Sequence, residues 1–132
     1  MAIRVRTAAL GAMLAHAART LPEECCGLLL GATDTIDEAV PATNLRRSPT
    51  EYEIDPADHL AAIRKARATG RAILGAYHSH PNGRPSPSPT DAARLLDEAL
   101  LYFIVAAGPE PGVRAFRWAS GNFDDVPIVP VP

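Results

Sequence analysis

Cysteine is scarce in this chain: two occur among 132 residues, side by side as Cys25 and Cys26. Neighbouring residues on a strand point to opposite faces, which places the pair poorly for a structural disulfide. A disulfide scaffold is therefore excluded, and small buried thiols in a reducing compartment are expected. Charge imbalance is lacking too, with a formal net charge of −2 at pH 7. That leaves no electrostatic footprint for nucleic acid or an anionic membrane surface. Long apolar runs are missing, since no window approaches the ~18 uninterrupted apolar residues that a membrane span requires. The opening "MAIRVRTAALGAMLAHAARTLPEE" scatters Arg4, Arg6, His16 and Arg19 through its apolar positions, unlike a signal peptide. A cytoplasmic protein with neither a nucleic-acid nor a membrane partner is expected.

What is present is ordinary in bulk: 47% hydrophobic and 21% charged residues, as in soluble globular proteins. The length suits a single domain over residues 1–132, long enough to bury a core. "IRVR" alternates as a short strand, and Thr7 is expected to cap a helix. Leu10, Met13, Leu14, Ala17, Ala18 and Leu21 keep the helical period up to Pro22. "CCGLLLG" predicts a buried strand, and "TIDEAVPATN" a partner near a sheet edge because Pro41 interrupts it. "NLRRSPTEYEID" is extended and polar. Asp55-Pro56 opens a second helix with Leu60, Ile63 and Ala66 inward, ending at Gly70. "RAILGAYHSH" predicts a central strand and Thr90 to Ala99 a third helix; "LLYFIVAAG", "VRAFRWAS" and "VPIVPV" add strands, the last loosely held. This order predicts an α/β sandwich around one mixed sheet.

The stretch "YHSHPNGRPSPSPTD", Tyr77 to Asp91, carries the chemistry. Residues i and i+2 of a strand share a face, so His78 and His80 present two imidazoles side by side. Two neutral ring nitrogens suit zinc, and Asp91, arriving at a helix start after a proline-stiffened loop, offers a third ligand. Three protein ligands leave a fourth position open, as in catalytic zinc sites. "SPTD" also has a purely local explanation: Ser88 as N-cap, Pro89 as first helical residue and Asp91 as the acid of a capping box. A hydrolase needs a proton acceptor besides the metal, and Glu23 and Glu24 stand at the entry to an apolar strand where partial desolvation would raise basicity. Spacing does not choose between them, and either also fits a solvated loop. His16 and His59 have no partner pattern and are read as structural or surface residues. Trp118 is read as packing.

Taken together, His78-Ser79-His80, seven residues, Ser88, two residues and Asp91 resemble the JAMM (MPN-plus) zinc metalloprotease signature. Its small bacterial members carry their glutamate in a Pro-x-Glu-x-Cys-Gly segment, matched here by Pro22, Glu24, Cys26 and Gly27. The resemblance thus selects Glu24, and "RSPTEYEIDP" also looks like the stretch between the two motifs in these proteins. It implies a deaminase-like (JAB/MPN) α/β sandwich and one zinc ion held by His78, His80 and Asp91. It further implies Glu24 as general base then general acid, and Ser88 as hydrogen-bond donor to the oxyanion, in competition with capping. The implied substrates are amide or isopeptide bonds after the Gly-Gly tail of ubiquitin-like proteins. For the small bacterial members these are sulfur-carrier proteins, from which a C-terminal residue or adduct such as cysteine is removed. An extended diglycine tail suits a narrow groove, with "RSPTEYEID" as one candidate wall.

Alternatives are a RadC-like DNA-associated protein, a metal-free MPN interaction scaffold, and a general or phage-tail-type peptidase. The Pro22–Gly27 segment, the lack of basic charge and the full donor set weigh against the first two, and the lack of an export signal against the third. Deamination is disfavoured because the Pro-Cys-x-x-Cys ligand pair of zinc deaminases is missing.

Overall fold

The computed structural model describes all residues, Met1–Pro132. The chain runs β1 (Ile3–Arg6), α1 (Thr7–Thr20), β2 (Cys26–Ala32), β3 (Thr35–Ala42), α2 (Pro56–Ala68), β4 (Ala72–His80), α3 (Pro89–Ala93), β5 (Leu101–Ala106), β6 (Gly112–Ala119), β7 (Asn122–Val126) and β8 (Ile128–Val131). All eight strands join one mixed sheet in the order β7-β6-β5-β4-β2-β3-β1-β8. The β4–β5, β1–β3 and β1–β8 pairs are parallel and the others antiparallel. No helix is long and apolar enough to cross a membrane.

Strand periodicity divides the core between the two faces. Cys25 and Leu29 join Ile3, Val5, Tyr77, Phe103 and Val105 under α1, against Met13 and Ala17. Cys26, Leu28 and Leu30 face the other way, with Ala76 and Tyr102, against Ala62 and Ala66 of α2. β2 and β5, covered on both faces, therefore read as unbroken apolar runs. The two cysteines are free and buried on opposite faces.

Several local expectations change. Thr7 is the first residue of α1 rather than its cap, and Arg6 at the N-cap makes no side-chain hydrogen bond. Ala18 lies exposed on the outer side of α1, Leu21 lies exposed just past its end, and Leu60 is exposed on α2, where Ala62 and Ala66 are the buried residues. β3 is interior in strand order, but β1 covers only its Thr35–Ile36 end. Pro41, paired to Gly27 on one side alone, thus occupies a local edge and withholds its missing donor from no ladder. The third helix stops at Ala93, well short of Ala99. There the Tyr102 hydroxyl accepts from Asp97 N–H at 2.7 Å and donates to its carbonyl at 2.6 Å, tying up the groups a continuing helix would use. β7 has no counterpart in the sequence reading. Ser120 and Gly121, both at positive φ, form the tight turn that returns it along β6. The last strand, β8, is held along its whole length by β1.

Candidate metal centre

Strand β4 ends at His80, and beyond the register shift near Gly75 its Ala76 faces the α2 side of the sheet, as do residues two and four further on. His78 and His80 accordingly stand together, ring centroids 5.0 Å apart, with Nε2 atoms 3.1 Å from each other. Pro81 to Pro87 carry the chain away and back to α3. Its third residue, Asp91, turns a buried carboxylate toward both rings: Oδ1 lies 3.0 Å from His78 Nε2 and Oδ2 3.2 Å from His80 Nε2. One donor atom from each of the three residues falls within 4.8 Å of the others. Tetrahedral ligands at roughly 2.0–2.1 Å from an ion would stand ~3.3 Å apart, so this donor spacing fits a single small cation.

The ring protons support that fit. His80 Nδ1–H donates to the Arg84 carbonyl at 2.9 Å, which turns Nε2 inward toward Asp91; burial works against the charged ring, but these two bonds together raise the His80 pKa. His78 is fully buried, and burial lowers its pKa, keeping it neutral despite the nearby Asp91. His78 lacks a partner at Nδ1 and is held instead by Tyr52, whose ring stacks on it at 4.4 Å and 17°. His78, His80 and Asp91 thus form a donor set suited to a divalent metal.

Asp91 does two jobs at once. The capping box is present: Ser88 N–H donates to Asp91 Oδ2 at 2.8 Å, and Asp91 N–H donates to Ser88 Oγ at 3.0 Å. The local and the metal-binding explanations of "SPTD" therefore hold together. For Ser88 the two uses also prove compatible, because capping spends a lone pair of Oγ and leaves its own proton free to donate.

Glu24 precedes β2, and the register Cys26↔His78 carried outward sets it beside His80. It is 4% exposed, Oε1 has no partner, and burial raises its pKa to about 7, partly offset by His80. Glu24, Pro49, Thr50, His80, Asn82 and Ser88 line a cleft of about 250 Å³, whereas Glu23 does not reach it. Pro49 and Thr50 belong to the stretch expected as a groove wall. His16 is buried on the α1 face with Nδ1 2.8 Å from the Tyr77 hydroxyl, a structural role. His59 is half-buried away from the donor set, and Trp118 packs edge-on against Phe123. Sequence reasoning overlooked Tyr52, Ser79 and Asn44. Ser79, wholly buried between the histidines, accepts the Cys25 N–H at 2.8 Å through Oγ. Only its place inside the His-x-His unit hinted at this, and the ring of Tyr52 gave no signal at all.

Known proteins resemble this chain in sequence and fold. The CysO-cysteine peptidase of Mycobacterium tuberculosis H37Rv is 31% identical over 129 residues, covering 94% of this chain and 88% of that protein. The desampylase of Haloferax volcanii is 32% identical over 110 residues, covering 81% and 78% of the two chains. A solution structure of a Desulfitobacterium hafniense protein superposes with a TM-score of 0.90 at 33% identity, over 98% of this chain and 92% of that one. The family described as prokaryotic homologs of the JAB domain matches residues 6–119, and the chain belongs to it.

Proposed function

We propose that this chain, acting as one domain over residues 1–132, is a zinc metallopeptidase. Its substrates are amide or isopeptide bonds after the Gly-Gly tail of a ubiquitin-like or sulfur-carrier protein, from which it removes a C-terminal residue or adduct such as cysteine. The observation that carries this reading is the convergence of His78, His80 and Asp91 on one point beside a buried, unpartnered Glu24 and a cleft lined by Ser88. The substrate class is supported by relatives named for CysO-cysteine cleavage and for desampylation. Two free buried cysteines suit a cytoplasmic location.

His78 and His80 would hold the ion through Nε2 and Asp91 through a carboxylate oxygen. When bound, zinc supplies Lewis acidity and brings the pKa of a water down to about 7. Glu24, poised near neutrality by burial, takes the water's proton at its unpartnered Oε1 and hands it to the leaving amine. Ser88, with its hydroxyl proton unspent, donates to the carbonyl oxygen as negative charge develops there. Pro49 and Thr50 form one wall for an extended tail.

The test is incubation of the purified protein with sulfur-carrier proteins bearing one residue after Gly-Gly, followed by mass spectrometry with and without chelator. Loss of the terminal residue, abolished by chelator and by Glu24→Gln, is expected. An unchanged mass with zinc bound would reject carrier trimming.

A further inference from the structure

The segment between β3 and α2 closes on itself at its base. Asn44 and Ile54 form an isolated antiparallel bridge, Leu45 N–H donates to the Glu53 carbonyl at 2.9 Å, and Asp55 N–H to the Thr43 carbonyl at 3.0 Å. A loop of this kind leaves inward-facing backbone groups that need partners. A single side chain supplies them. Asn44 Nδ2 donates to the Glu24 carbonyl at 3.1 Å and to the Glu51 carbonyl at 3.0 Å. Its Oδ1 accepts from the N–H of Arg46 at 2.9 Å and of Glu53 at 3.0 Å. Two donors and two lone pairs are the whole capacity of a carboxamide, and all four are used.

Three of those bonds stay within the loop; the fourth reaches 20 residues back to Glu24. A second tie runs beside it, since Glu24 N–H donates to the Ser48 carbonyl at 2.8 Å. Both backbone polar groups of Glu24 are thus held by the loop that carries Pro49 and Thr50, the cleft wall facing His80 and Ser88. We infer that Asn44 is a positioning residue, which locks the backbone of Glu24 to the substrate-facing loop and so sets the base and the cleft wall in one fixed relation. This rests on the reading of Glu24 as the base. Asparagine alone fits: aspartate keeps the two acceptors and loses both donors, glutamine is one methylene too long, and serine has a single proton. A misplacement of about 1 Å at a reacting group costs on the order of 100-fold in rate.

The test compares wild type with Asn44→Asp as zinc-loaded proteins on a Gly-Gly-extended carrier, alongside amide hydrogen exchange and metal affinity. Expected are a fall in kcat of about 10- to 100-fold, zinc affinity within about twofold, and exchange at the Glu24 amide faster by tenfold or more. Exchange at Leu28 and Leu29, inside the sheet, should stay unchanged. Asn44→Ser, which keeps an acceptor for the Arg46 amide, replaces the aspartate variant if that one does not fold. Wild-type kcat in a folded variant overturns the inference, as does unaltered exchange at Glu24. A variant that loses zinc or melts the sheet reveals a structural role instead, and also overturns it. Should wild type itself leave the carrier intact, the peptidase reading fails, while exchange at Glu24 still decides whether Asn44 holds it.

Discussion

The two faces of the sheet are built from the same strands and differ in how completely they are finished. Under α1 the packing is closed. Its buried histidine is satisfied by the Tyr77 hydroxyl, and the hydroxyl end of the Tyr77 ring lies against Gly27, where any Cβ would collide with it. On the α2 face the two buried side-chain polar atoms without a partner, Glu24 Oε1 and His78 Nδ1, stand within the same site. Each such atom costs about 1–3 kcal/mol. One face supplies stability and the other holds groups in states that stability alone would not choose, and the dividing line runs between consecutive residues: Tyr77 and His78, Cys25 and Cys26.

Substitutions on the two faces should therefore fail in opposite ways. The largest effect belongs to Glu24→Gln, for which turnover should fall by about 10²–10⁴ with zinc retained. In the metal-free protein the same change should stabilise. Glu24 has a pKa of about 7 when folded against 4.5 as reference, so the folded state binds the proton more tightly. Its contribution is full below pH 4.5 and is lost as pH rises through 7, leaving the variant more stable by up to about 3 kcal/mol at pH 8 in urea unfolding. A variant that is active, or less stable, would erase the contrast between the faces.

Ser88→Ala follows, with a fall in kcat of about 10²–10³ and little change in KM, plus about 1 kcal/mol from the lost cap. A loss confined to stability would make Ser88 a cap only. Next comes His16, which burial and the nearby Arg19 lower to about 4 from 6.5. Here the unfolded chain binds the proton more tightly, so stability is full above pH 6.5 and drains away as pH falls toward 4, by about 3 kcal/mol. Urea midpoints from pH 4 to 7.5, taken in a Glu24→Gln background to remove the opposing slope, should flatten on adding His16→Gln. The smallest effect is that of Gly27→Ala, about 1–3 kcal/mol from displacing the Tyr77 ring, with zinc affinity kept. Zinc loss there would show that the α1 face also shapes the centre.

Much of the donor set was legible because it is local. The strand period of two put His78 and His80 on one face, and the Ser88-Pro89 start of α3 put Asp91 in its first turn. The capping box and the donor set, which compete as sequence patterns, share atoms in space. Less legible were features settled by distant contacts. The Tyr102 hydroxyl cuts α3 short, the partial reach of β1 gives Pro41 its local edge, and α2 buries alanines where the helical period favoured Leu60.

By itself the sequence determined which residue types meet at the end of β4, the alternating division of β2 between two cores, and the absence of any disulfide frame. These follow from backbone periods that act over a few residues. Tertiary structure decided the rest: that Glu24 lines the cleft and Glu23 does not, that Tyr52 backs His78, and that Asn44 ties the Glu24 backbone to the cleft wall. Those outcomes depend on strand register and loop closure across 20 or more residues, where pairing energy, rather than local propensity, selects the partner.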